Sequence, residues 1–173
     1  MAETTKGLSS SIASTVELGS RLTFSLHTYI HSSTFRRFQI SKILSEVSAT
    51  AGALQQLHDI LEADQNAKSP ELVVLKDAGR DEIRLKVEQC EKLYRTVIRV
   101  MTKASVVGKW KGKQVKVVDT DNLKNISVVN GFSGKWFWLE PRIRRSKEQL
   151  ALLKMNLLVM NEIANLARLQ LSR

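Results

Sequence analysis

A chain of 173 residues is the size of one domain and can bury a core without disulfides or metal. Its 43% hydrophobic and 25% charged residues are ordinary for a globular protein, and only two prolines and eight glycines favour long helices over many turn-linked strands. The net charge of +10 is unusual: eleven basic residues face four acidic ones between Lys103 and Gln149, a local excess that attracts polyanions.

In chain order, residues 8–31 read as a first helix with Leu8, Ile12, Val16, Leu22, Leu26 and Tyr29 on one side. It carries little charge, only Glu17 and Arg21 between Gly7 and Ser33, and Ser and Thr fill its other face. Such a helix either packs at a bundle edge or leaves the bundle for a bilayer, because hydroxyls can bond back to their own helix. Residues 35–64 form a second helix with the seam Ile43, Val47, Thr50, Leu54, Leu57 and Leu61, and Ala49, Ala51, Gly52 and Ala53 keep its middle narrow for a close neighbour. Ser69 and Pro70 suit a cap and first helical position, giving a short helix or turn over 71–78 that ends near Gly79. The third long helix is expected from Asp81 to Lys103, with Ile83, Val87, Cys90, Tyr94, Val97 and Met101 as its seam. Cys90 falls on that stripe and reads as a small core residue, not a nucleophile. A lone cysteine also excludes an internal disulfide and fits a reducing, cytoplasmic compartment.

The helical period stops over 105–139, where Gly108, Gly112, Gly131 and Gly134 punctuate an insert that is either irregular or a small β-hairpin. Pro141 opens the last helix. There Leu150, Leu153, Leu157, Met160, Ala164, Ala167 and Leu171 recur at steps of three and four. A second set, Leu152, Met155, Val159, Ile163, Leu166 and Leu169, falls roughly opposite, and Lys154, Asn161, Asn165 and Arg168 form the one polar strip. A helix apolar over so wide an arc is expected to be enclosed by the other three. No leader of the basic-then-apolar kind opens the chain and no uninterrupted run of eighteen apolar residues occurs, so a constitutive membrane-spanning helix is not expected.

Reactive chemistry is hard to assemble from these residues. His27 and His31 have the spacing of two metal ligands, but no Asp, Glu or Cys shares their turn. Phosphate loops, dinucleotide fingerprints and nucleophile elbows are absent, and the carboxylates of the third helix alternate with cations as a solvated face does. No cofactor, metal or small-molecule substrate is expected. Polyanion or partner binding is the remaining chemistry. Lys109, Trp110, Lys111, Lys113 and Lys116, then Lys135, Trp136 and Trp138, interleave cations with aromatics, and Arg142, Arg144 and Arg145 extend the basic run. The mixture has the ingredients for phosphate contact and base stacking, and the lysines equally suit a solubilising loop. The Trp136-Phe137-Trp138 cluster reads as a plug at one end of the bundle or as a binding platform.

The run Lys135 to Ile143, followed by Leu150, Leu153-Lys154 and Leu157 to Met160, resembles the closing helix of fungal N-terminal domains on STAND-type signalling proteins. Cys90-Glu91-Lys92-Leu93 and the segment Ser45 to Leu61 are similar to the corresponding helices of that family. The resemblance implies a HeLo-like helical module for interaction or signalling, in a family where the first helix can act on membranes. The expectation is an all-α, antiparallel four-helix bundle, one domain over 1–173, with the insert between its third and fourth helices. Its expected function is non-enzymatic protein interaction or self-association in the cytoplasm. The alternatives are anionic membrane association through the first helix, with peripheral localisation, and nucleic-acid binding through the insert.

Overall fold

The computed structural model describes the backbone of residues 2–32, 37–67, 73–104, 109–110, 113–114 and 136–171, and the side chains of 7–31, 38–67, 73–101 and 139–171. The protein is all-helical in its long elements: α1 Ala2–Ser32, α2 Arg37–Gln65, α3 Asp77–Ala104 and α4 Trp136–Leu171. Within the insert, β1 Lys109–Trp110 pairs antiparallel with β2 Lys113–Gln114 over two residues each. A pairing that short gains little stability by itself.

Three boundaries differ from expectation, the first being that α1 begins at Ala2 and not at residue 8. α3 begins at Asp77, not Asp81, and runs through Gly79, so the helix or turn expected over 71–78 is replaced by non-helical residues 73–76 and the first turn of α3. Residues 68–72, including the expected Ser69 cap and Pro70, lie outside the described residues. α4 begins at Trp136 and contains Pro141, whose missing N–H leaves the carbonyl of Phe137 without its usual helical donor.

The expected seams of the first three helices form the core, with Leu8, Ile12, Leu22, Leu26 and Tyr29 from α1 buried and Val16 partly so. The six seam positions of α2 and the six of α3 are also buried. α1 supports its many hydroxyls internally: Thr15 Oγ1 donates to the Ser11 carbonyl at 2.9 Å and Thr23 Oγ1 to that of Gly19 at 2.9 Å. This back-bonding satisfies hydroxyls on a helix with few charges.

α1 packs on α2 and α3, α4 packs on α2 and α3, and α2 and α3 barely touch. α1 and α2 run in opposite directions, since Ser9 meets His58 while Gly19 lies against Ala51. α2 and α4, in extensive contact, run the same way: Gln39 bonds Glu140, Glu46 bonds Lys154 and Asn161 bonds the Ala53 carbonyl. Neighbours in space are therefore not all antiparallel, because α2 and α3, though consecutive in the chain, stand diagonally across the bundle.

A tight approach of helices centres on Gly19. A Cβ there would sit 2.9 Å from Tyr94 Cε2 and 3.0 Å from Ala51 Cβ. Ala51 and Ala53 are buried as the narrow middle of α2 requires, whereas Gly52 has open space around it. Tyr94 is fully buried and its hydroxyl donates to the Val47 carbonyl at 3.3 Å, joining three helices at one level. Gly19→Val should therefore destabilise the bundle by about 1–3 kcal/mol in urea unfolding, more than Gly19→Ala, which regains up to about 1 kcal/mol of helix propensity.

Candidate interaction surface

α4 determines what the bundle shows to its surroundings. Its buried positions are Leu139, Ile143, Ser146, Leu150, Leu153, Leu157, Asn161 and Ala164, a stripe at steps of three and four. Three of the four residues of the polar strip reach α2. Lys154 Nζ donates to Glu46 Oε2 at 2.8 Å, Asn161 Nδ2 to the Ala53 carbonyl at 3.1 Å and Gln56 Oε1 at 2.9 Å, and Arg168 Nη2 to the Ile60 carbonyl at 3.1 Å. Lys154, Asn161 and Arg168 are seven residues apart, as are Glu46, Ala53 and Ile60, so the same contact recurs every second turn. Of the strip, only Asn165 is exposed.

The opposite set points outward. Leu152, Met155, Leu158, Val159, Ile163, Leu166 and Leu169 are between 38% and 66% exposed. The expectation that three helices enclose α4 is thus overturned: α2 and α3 cover one side only. The polar ladder sets this rotation, since turning Lys154, Asn161 and Arg168 onto α2 necessarily turns the second apolar set away. By length and composition, Leu139–Leu171 is also apolar enough to cross a membrane, against expectation, because isolated polar residues interrupt its apolar run without lowering its average much.

The predicted polyanion residues are divided. Lys111, Lys116 and Lys135 lie outside the described residues. Lys109, Trp110 and Lys113 fall in the two short strands, and Trp136 and Trp138 in the first turn of α4, with only their backbone described, so the plug and platform readings lie outside the described side chains. Arg142, Arg144 and Arg145 are exposed near the start of α4. Beside them Lys42 Nζ lies 4.1 Å over the Phe38 ring, and a recess of about 260 Å³ runs between Phe38, Lys42, Glu140, Ile143, Arg144 and Lys147.

Elsewhere the chemistry is sparse. Among the described residues, no group of three His, Cys, Asp or Glu could hold a metal. His27 and His31 meet at 3.3 Å between their Nε2 atoms, exposed on α1. A groove of about 480 Å³ between α1 and α2 is lined by Val16, Phe24, Leu44, Ala51 and Gly52, with Ser20 and Ser48 as small polar members. Cys90 is fully buried, and desolvation pushes its thiol from 9.0 up to about 12. Burial also raises the Tyr94 phenol, with a smaller contribution from Cys90.

Asp64 joins three segments, a role that sequence reading missed. Its Oδ2 accepts the Leu75 N–H at 2.9 Å, Oδ1 accepts that of Val74 at 3.3 Å, and Arg168 stands 3.6 Å away. A carboxylate at the polar end of α2 reads as solvated from sequence, and only the return of the chain beneath it makes it buried.

No protein-family model matches this chain, and neither curated proteins nor solved structures give a significant match.

Asp64→Ala should destabilise the bundle by about 2–4 kcal/mol, as it strips two backbone N–H groups of their acceptor and Arg168 of its counter-charge, and Asp64→Asn should cost less; urea titration measures both. Cys90 should ignore a thiol reagent at pH 8 until the chain unfolds. Because the folded state holds Cys90 neutral while the unfolded chain ionises near 9.0, its contribution is full below that pH and is lost as pH rises towards about 12. Wild-type stability should accordingly fall over that window more steeply than that of Cys90→Ala.

Proposed function

We propose that this protein is a non-enzymatic protein-interaction module of the cytoplasm: a four-helix bundle with α2 and α4 side by side and parallel, and an irregular or hairpin insert before its last helix, that engages its partner through the outward face of α4. The observation that carries this reading is the exposure of seven large apolar side chains on one helix face of a folded bundle. A patch of that extent exceeds what a monomeric surface usually shows and marks sites of association. The resemblance to N-terminal domains of fungal signalling proteins, which implies an interaction or signalling module, supports the same reading.

A second reading, peripheral binding to anionic membranes, is favoured by the length and apolar composition of Leu139–Leu171. In that reading α4, not α1, is the segment that meets lipid. Leu8, Ile12, Leu22 and Leu26 of α1 belong to the core, and withdrawing each would cost about 1.5–3 kcal/mol.

Affinity capture with the wild type and with the double variant Ile163→Asp/Leu166→Asp tests the interaction reading. Both positions are exposed and outside the core, so circular dichroism of the variant should match wild type while the captured partner is lost. An identical set of partners on both proteins would refute the reading.

A further inference from the structure

The occupant of the α4 face can be argued from its area, its charge and its pattern, given that this face is the docking surface proposed above. Seven side chains at the observed exposures leave roughly 700 Å² of apolar surface, close to the ~800 Å² that each partner contributes to a stable interface. The face is straight and long. From Leu152 to Leu169 it extends about 26 Å along the helix, at 1.5 Å per residue.

Charge argues against lipid as the occupant. Helices that lie on anionic membranes flank their apolar face with Lys and Arg. Between Leu152 and Leu169 the only cations are Lys154 and Arg168, and both are engaged with α2. Glu162, exposed and on the outward side, is the remaining charged residue of this stretch. An acidic group within the apolar face disfavours an anionic surface.

The pattern has a two-fold property. Leu152 and Leu169, Met155 and Leu166, and Leu158 and Ile163 stand at equal distances on either side of the point between Met160 and Asn161. If a second α4 lies across the first in the opposite direction about that point, every one of these six residues meets an apolar residue. Val159 then faces Glu162 of the other copy. A parallel arrangement does worse. It would set Glu162 against Glu162 and stack the Arg142, Arg144 and Arg145 turns of both chains, where like charges repel. An isologous pair needs a surface complementary to itself under a two-fold axis, and this face has that property when the helices are antiparallel.

We infer that the outward face of α4 is occupied by α4 of a second copy of this chain, packed antiparallel about an axis passing between Met160 and Asn161. The full chain should then sediment and scatter light at micromolar concentration as twice its 19.5 kDa. Ile163→Asp/Leu166→Asp should weaken the dimer at least ~30-fold without changing helical content. Val159→Lys, which would meet Glu162 of the other copy, should tighten it, a gain that misfolding cannot mimic.

A short bismaleimide should join Leu152→Cys chains to Leu169→Cys chains in a mixture. It should not join Leu152→Cys chains to each other, because those positions lie about 26 Å apart across the axis. Self-linking of Leu152→Cys, or a dimer that survives the double aspartate variant, would overturn the arrangement. A monomeric wild type would overturn the inference outright, and its companion measurement then judges the reading beneath it. If the monomer still captures a protein partner through Ile163 and Leu166, that reading stands while this one fails. If instead the monomer floats with vesicles of phosphatidylserine and phosphatidylcholine, and the double variant does not, lipid covers the face and both fail.

Discussion

The register between α2 and α4 is the constraint on which the rest depends. Three polar side chains at seven-residue spacing, Lys154, Asn161 and Arg168, reach Glu46, the Ala53 carbonyl and the Ile60 carbonyl in turn. Each contact spans 108 residues of chain, so a shift of one residue would break all three together. Polar pairs of this kind are weak sources of stability, because desolvation offsets much of their attraction. Their effect is to select one alignment and one rotation. That rotation then decides which residues of α4 the core receives and which it cannot.

The opposite side of the bundle is fixed by apolar fit. Gly19, Ala51 and Tyr94 meet at one tight level of three helices, and the tyrosine ring occupies space that a larger side chain at position 19 would need. Close packing makes that contact sensitive to volume. The two devices are complementary: α1, α2 and α3 are located by shape at one level, and α4 is located by polarity along its length. Asp64 ties the latter to the chain end of α2 and to the entry of α3, so the polar set is continuous with the path of the backbone.

Periodicity made the helices legible. Every seam residue expected on α2 and α3 is buried, because a single apolar stripe has only one sensible side. α4 has two apolar stripes and one polar strip, and periodicity alone does not say which of the three a neighbour will take. The first stripe did take the core, with Leu150, Leu153, Leu157 and Ala164 buried, but enclosure on every side does not follow, and the second stripe stays uncovered. The seven-residue spacing of Lys154, Asn161 and Arg168 was visible, but its partners on α2 are mostly backbone carbonyls, which carry no residue-type signal. The start of α4 was missed for a different reason: Pro141 marks a helix beginning in most contexts, yet the first turns run back to Trp136 before it. The Lys and Trp residues of the insert lack any periodic frame that would place their side chains.

A helix that buries one apolar stripe, turns Lys154, Asn161 and Arg168 onto α2 and leaves a second apolar stripe outward is poorly matched to water. The inward contacts add modestly to stability, and the outward side chains contribute nothing while they remain exposed. Whatever covers Leu152 to Leu169 therefore adds a stabilisation that the isolated bundle lacks, and folding and association become linked through mass action. Because the polar ladder also fixes the direction in which these side chains point, the face is organised before its occupant arrives. Less conformational freedom is lost on docking than with an unanchored amphipathic segment. The rotation of α4 thus leaves one contiguous apolar surface available while its buried stripe closes the core with the other three helices.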